Sequence, residues 1–289
     1  NAKIAMLSVL IGAVLNIILD PIFIFSMDMG VKGAALATII SQACSAIWVV
    51  GFLVSKKSVI RIKKENLKLE GKTIGKILAL GSAPFVIQST EAFVTIVLNN
   101  GLQKYGGDLY VGSLTILQSV MQLIVVPING MTQGVQPIIS YNYGAKNKER
   151  VKAIFKLLTI VCFTYSLCLW SSIMLFPRGF ASIFTSDQTL VPFTAKMLRI
   201  YCGGLCIFGI QIACQMTFVS IGSSLSSIAV AVFRKFIILI PLIYIVPHLV
   251  NDPVIGVYLA EPIADITAVL FTICLFSFKF KKALNKISN

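Results

Sequence analysis

Residues Val111 to Ile139 read VGSLTILQSVMQLIVVPINGMTQGVQPII, and none of these 29 residues carries a charge. A helix rises about 1.5 Å per residue, and crossing a hydrocarbon core of about 30 Å takes about 20 apolar residues, so this stretch is long enough to span a bilayer. It lacks the strict in-and-out alternation of a membrane β-strand of about ten residues. The reading is therefore a transmembrane helix. Seven more windows of this kind follow the same rule: Ile4 to Phe25, Val31 to Val54, Ile77 to Leu102, Ala153 to Phe176, Met197 to Ile221, Ile228 to Val250 and Val254 to Phe278. The predicted fold is an all-α integral membrane protein with eight transmembrane helices.

Composition agrees with these windows. Of the 289 residues 57% are hydrophobic and 12% charged, with a mean hydropathy of +0.89. Soluble domains average roughly 45–50% apolar and about 25% charged, so this chain has too few ionic groups to coat a water-facing surface. Lys and Arg number 25 against 11 Asp and Glu, a formal charge of +14. The basic residues cluster in short connections between apolar blocks, the pattern of membrane-flanking charge rather than of a nucleic-acid surface. Seven cysteines without a CxxC pair, and a single histidine, support neither a disulfide framework nor a metal site, and no cofactor is expected. No nucleophile and base pair, metal triad or phosphate loop is present, which argues against an enzyme.

Orientation follows from the same charges. One side collects Lys3, the eight from Lys56 to Lys76, the five from Lys146 to Lys156, Arg234 with Lys235, and the four from Lys279 to Lys286, 20 in all. The other side has 5: Lys32, Lys104, Arg178, Lys196 and Arg199. The positive-inside rule then puts both ends of the chain, and the basic loop 56–76, on the cytoplasmic side of the cell membrane. That loop divides a helix pair in 1–55 from six helices in 77–289. Pro21 with Gly33-Ala34-Ala35-Leu36-Ala37 returns as Pro241 with Gly256-Val257-Tyr258-Leu259-Ala260, offset by 220 to 223 residues. Taken as a repeat, this makes the first pair the end of one six-helix lobe and 77–289 a complete second lobe. By that spacing roughly 160 residues are expected ahead of Asn1 in a longer protein, as the missing initiator Met and signal peptide also suggest.

Asp20, Glu91, Glu261 and Asp265 fall inside apolar windows, where a charge at bilayer centre costs about 2.5–3.5 kcal/mol and so faces protein or water, usually with a task. Asp20 precedes Pro21, and Asn16 one turn earlier puts an amide on its face; an internal polar site is the leading reading, a helix-end residue the plainer one. Glu91 lies deep in its window, with Gln88 a turn before it and Asn99 and Asn100 two turns after. Glu261 and Asp265 share a face across Pro262, and structural pairing with Arg234 or Lys235 leads for them. Burial favours the neutral carboxylic acid, so such groups can take up a proton on one side and release it on the other.

The fourth window carries Gln118, Gln122, Asn129, Gln133 and Gln136, amides that must face helices or a cavity, with Pro127 and Pro137 allowing bending. Gly203, Gly204, Gly209 and Gly222 are read as helix-packing positions. His248 is placed at the outer interface. The amphipathic segment from Pro177 to Phe193 is expected along that interface too, and Thr185 with Gln188 fits a capping box opening the next helix early.

These residues resemble the multidrug and toxic compound extrusion (MATE) transporters. The strongest match is Gly134-Val135-Gln136-Pro137-Ile138-Ile139-Ser140-Tyr141-Asn142-Tyr143-Gly144-Ala145-Lys146-Asn147, similar to the signature at the end of the family's eighth helix. Asn16-Ile17-Ile18-Leu19-Asp20-Pro21, Gly81 to Glu91 with Pro84, Phe184-Thr185-Ser186-Asp187, and Arg234 with Ile240-Pro241 follow in order. The likeness covers the whole chain as helices five to twelve of twelve. It implies two six-helix lobes and an antiporter that exports cationic or amphipathic drugs, antibiotics among them, against inward H⁺ or Na⁺. It further implies that Asp20 with Asn16 is an acidic site of the first lobe and Glu91 the cation-linked glutamate of the second. Gln88, Gln118, Gln122, Gln136, Glu261 and Asp265 are secondary candidates. Sodium-coupled members can carry a further acid in the tenth helix, where Met197 to Ile221 has only Gln211 and Gln215, and this leans the expectation toward protons.

The expected function is therefore drug efflux by alternating access, in a monomer embedded in the bilayer. Two rivals remain. A flippase for lipid-linked sugars would need an interior basic groove, whereas Arg234 and Lys235 are here assigned to a cytoplasmic helix end. A receptor or channel would show no dependence on an ion gradient.

Overall fold

A computed structural model of the chain describes residues 2–55, 58 and 70–288. Most of the predicted basic loop 56–76 lies outside the described residues. Among those described, every regular element is helical. Among the described residues, seven helical stretches, from Met6–Ser26 to Pro253–Asn285, are long and apolar enough to cross a membrane. The remaining predicted window, Ile77 to Leu102, lies in α3, a 36-residue helix over Gly71–Gly106. The protein is an all-helical, multi-pass membrane protein, in two compact units, Asn1–Ile74 and Gly75–Asn289.

The first unit is a hairpin of α1 (Ala2–Pro21) and α2 (Gly30–Val54). Pro21 has no N–H to give the carbonyl a turn earlier, and the helix widens after it into a π turn over Ile22–Ser26. The two helices meet through small side chains. Gly33, Ala37 and Ser41 are buried at four-residue spacing on α2, and Ser45, the next in the series, donates its hydroxyl to the Ser8 carbonyl at 2.5 Å. Lipid offers no hydrophobic drive between helices, so close backbone approach and such hydrogen bonds hold the pair. Gly33 is the tightest point: a Cβ there would lie 2.6 Å from the Phe23 carbonyl oxygen.

The second unit contains α3, α4 (Asp108–Gly144), α5 (Lys148–Leu175), α6 (Pro177–Phe184), α7 (Leu190–Tyr201), α8 (Leu205–Ser220), α9 (Ser224–Val232), α10 (Ile240–Ile245) and α11 (Pro253–Ser288). Helices α7 and α8 run on through a 3₁₀ turn, and α9 and α10 through a π segment, Phe233–Leu239. On α4, Leu114, Leu117, Ile124 and Ile128 are buried along one stripe, the three-to-four spacing that turns one helical face inward. At the α5–α8 crossing a Cβ on Gly209 would lie 2.5 Å from the Ser166 hydroxyl, and where the 3₁₀ turn meets α11 a Cβ on Gly204 would lie 2.8 Å from the Asp265 Cβ. Gly256 repeats the close approach of Gly33, its virtual Cβ 2.6 Å from Pro247 Cα at the end of the preceding helix. The two segments that share a sequence pattern thus also share a π turn followed by a glycine-closed hairpin.

Two local expectations are corrected. Gly222 is not a packing glycine: its φ of +75° and the open space around it mark the turn that ends α8. The capping box of Thr185 and Gln188 does not form. Asp187 instead accepts from the Thr189 amide at 2.8 Å and hydroxyl at 2.7 Å, an Asx turn, and α7 starts at Leu190, ahead of the apolar window at Met197 as expected. The Thr189 hydroxyl and amide hold the Asp187 carboxyl below its usual range.

Candidate cation-coupling site

The helix that carries Arg234 and Lys235 decides the character of the second unit. Both side chains lie in the π segment between α9 and α10, within the 25-residue apolar stretch Ser224–His248, and both are buried. This overturns their assignment to a cytoplasmic helix end, and the side that collected 20 basic residues retains 18. Arg234 is the seventh residue of its own apolar window, which is the signal the loop count passed over. Pro241 lacks the N–H that would serve the Ile237 carbonyl, and the ladder widens into a π segment just before it, a feature that recurs at functional positions in membrane helices.

A buried guanidinium and ammonium persist only with partners, because stripping either of water costs several kcal/mol. Arg234 Nη2 donates to Glu261 Oε1 at 2.7 Å and lies 2.5 Å from Asp265 Oδ1, while its guanidinium carbon sits 4.9 Å from the centre of the Phe208 ring. Lys235 Nζ is paired with Glu91 Oε2. Three carboxylates thus meet two fixed cations, and the ionised cluster is one positive charge short of neutral. Glu261 Oε2 and Asp265 Oδ2 are buried with no hydrogen-bond partner among the described residues. Gly204 makes this packing possible, since any side chain there would meet Asp265 and the Pro262 backbone.

The two acid pairs differ in access. The side chain of Glu91 is 53% exposed although its Lys235 partner is 5% exposed, whereas Asp265 is only 1% exposed. Phe93 stacks on Phe236 at 5.7 Å, two residues beyond Glu91 and one beyond Lys235. The structural pairing expected for Glu261 and Asp265 is present with Arg234; the pairing of Glu91 was not expected.

In the first unit Asn16 Nδ2 donates to Asp20 Oδ1 at 3.3 Å across one turn, both residues half-buried. Glu91 and Asp20 belong to different units. Of the amides, Gln118 and Gln136 are half-buried and Gln88 and Gln122 exposed; none of these joins the ionic cluster. Gln211 is buried, and Gln215 donates to the Ser227 carbonyl at 3.2 Å, so the two amides of α8 serve its packing interior.

The MatE family profile matches residues 84–245, more than half of the chain and the part that carries Glu91, Arg234 and Lys235. The chain belongs to the MatE family. Among its MatE relatives, the multidrug export protein MepA of Staphylococcus aureus (strain NCTC 8325 / PS 47) is 27% identical over 274 residues, covering 94% of this chain and 60% of MepA. MepA of Staphylococcus saprophyticus is 27% identical over 278 residues with the same coverage. A crystal structure of MATE in the straight conformation has a TM-score of 0.90 at 26% identity, covering 99% of this chain and 64% of the other. An outward-facing multidrug resistance MATE transporter has a TM-score of 0.89 at 25% identity, over 96% and 62%. The chain therefore spans about 60% of the length of the curated relatives it matches. MatE proteins are transporters, and the sequence resemblance to this family is borne out.

Proposed function

We propose that this MatE chain forms the greater part of a multidrug exporter of the plasma membrane that trades an outgoing amphipathic cation for an inward H⁺ or Na⁺. One observation carries the reading: an ionic cluster of three acids and two bases, buried except at Glu91 and one positive charge short, with orphaned oxygens on Glu261 and Asp265. A single H⁺ or Na⁺ neutralises it. Glu91 is the exchange point, because a drug cation reaching its half-exposed carboxylate competes with Lys235, while Glu261 and Asp265 hold Arg234. Protonation of Glu91 removes the attraction and releases the drug. Coupling further requires that ion and drug prefer opposite conformations, since a ligand indifferent to conformation shifts nothing. Asp20 with Asn16 is the matching acid of the first unit. Protons are favoured because α8 brings amides and hydroxyls but no carboxylate.

The internal Arg234 and Lys235 reopen the flippase reading, but each base is matched by carboxylate and no net positive groove remains for a pyrophosphate. The test is ethidium export in vesicles carrying the full-length protein, under an imposed pH gradient and, separately, a sodium gradient. Export should follow the pH gradient and be lost with Glu91→Gln plus Asp20→Asn. Wild-type export by that double variant would sink the site, and export driven by sodium alone would sink the proton.

A further inference from the structure

Between the ionic cluster and the end of the bundle that the charge count assigns to the outside, three helices are joined by hydroxyls instead of charges. Thr194 of α7 donates its hydroxyl to Ser113 of α4 at 3.2 Å. Ser113 shares a hydrogen bond with the side chain of Tyr258 of α11, and the Tyr258 hydroxyl donates to the Tyr110 carbonyl at 2.8 Å. Because Tyr258 gives its one proton to that carbonyl, Ser113 is the donor in the middle link, and the three hydroxyls point one way. Thr194, Ser113 and Tyr258 are 0%, 0% and 1% exposed. The chain leads toward the acids: Tyr258 is three residues before Glu261 and seven before Asp265, so the three share a face of α11. Oε2 of Glu261, buried and without a hydrogen-bond partner among the described residues, belongs to the residue one turn further in. The Tyr201 ring stands edge-on to Tyr258 at 6.4 Å, beside this last step.

Apolar side chains would hold these helices together as well; a one-way chain of hydroxyls ending a turn from an unpartnered carboxylate oxygen suits the movement of a proton. A hydroxyl both gives and accepts a proton, so such a chain passes a charge with no heavy atom displaced, whereas a hydrated metal ion has no room at this burial. We propose that Thr194, Ser113 and Tyr258 form a proton relay from the outer side to Glu261, an inference that rests on the proton-coupled reading of the cluster. Thr194 stands one turn into α7, under the exposed turn 187–189. Its Oγ1 takes a proton from water and gives its own to Ser113, and Ser113 gives its own to Tyr258. The Tyr258 hydroxyl turns from the Tyr110 carbonyl and gives its proton to Glu261 Oε2 through one bridging water. One proton enters, one leaves, and every hydroxyl ends neutral; rotation of the three O–H bonds resets the chain. Glu261 also feels Asp265, Arg234, Lys235 and Glu91, and Tyr201 and Cys202 act on it from the end of α7 and the 3₁₀ turn. The proton thus enters the cluster at Glu261 while the drug cation meets Glu91, and the two exchanged cations approach from different acids.

Ethidium export by the full-length protein in vesicles, under an imposed pH gradient, tests the relay. Thr194→Val and Tyr258→Phe keep the packing volume and remove one hydroxyl each. Either should slow pH-driven export by about tenfold or more, since a positioned proton-transfer group contributes about a hundredfold, with ethidium binding unchanged. Thr194→Ser retains the hydroxyl and should retain the rate. In the two slow variants the ratio of rates in H₂O and D₂O should rise above the wild-type ratio, because proton delivery then limits turnover. Slow export with an unchanged isotope ratio and a lowered unfolding temperature would assign the hydroxyls to packing and overturn the relay. Wild-type rates in Thr194→Val and Tyr258→Phe would overturn it while leaving the proton reading intact. Wild-type protein that answers only to a sodium gradient would overturn both.

Discussion

Asp265, with a side chain 1% exposed, has Arg234 as its cationic partner, and Glu261 shares that partner. Removing one member of a buried ion pair costs about 3–5 kcal/mol, because the charge left behind stays unsolvated, whereas removing the whole group costs far less. Arg234→Met should therefore lower the thermal unfolding temperature of the purified full-length protein sharply. Adding Glu261→Gln and Asp265→Asn should recover much of the loss. An unaltered melting curve for Arg234→Met alone would mean that the guanidinium is not the neutralising group. Glu91 and Lys235 were both visible as sequence features, one as an intramembrane acid and the other as a loop charge. Their pairing joins residues 144 positions apart on different helices, which spacing along the chain does not express.

Helix packing rests on a few positions where the backbone comes close. In the first hairpin, Gly33→Ala would force a Cβ to 2.6 Å from the Phe23 carbonyl oxygen, while at Gly12 the nearest atom, Ser45 Cβ, is 3.5 Å away. Overpacking costs about 1–3 kcal/mol, whereas replacing glycine by alanine in an open helix gains up to about 1 kcal/mol. Thermal unfolding should thus show Gly33→Ala destabilised and Gly12→Ala neutral or stabilised; the reverse order would contradict the hairpin geometry. In the second unit Gly204→Ala would press on Asp265 and the Pro262 backbone. It is expected to lower stability by about 1–3 kcal/mol and to slow transport by moving the acid that Arg234 holds. Sequence alone marked Gly203, Gly204, Gly209 and Gly222 alike, yet only the fold separates a contact at Gly204 and Gly209 from a turn at Gly222, because the difference lies in what the neighbouring helix presents.

For the molecule as a whole, the remaining basic residues still divide 18 to 5 by sequence position after Arg234 and Lys235 are taken into the interior. Both ends of the chain are accordingly expected in the cytoplasm. With the native cysteines replaced, Lys281→Cys should react with an impermeant maleimide only in inverted vesicles, and Lys104→Cys only in intact cells. The opposite labelling would invert the assigned orientation and, with it, the direction of the proposed transport. Family membership is consistent with that orientation test but does not replace it.

Hydrophobicity, helix length and the acids within apolar windows are local properties, and they were enough to specify an all-helical membrane protein and to single out Asp20, Glu91, Glu261 and Asp265. Which charge faces which was decided only by the tertiary structure. An ionised side chain in a low-dielectric interior is set by the neighbours that neutralise it, and these arrive from helices far apart in the chain. Arg234 and Lys235 show the limit: by position they read as a membrane-flanking pair, and the approach of α3 and α11 makes them the counter-charges of a buried site.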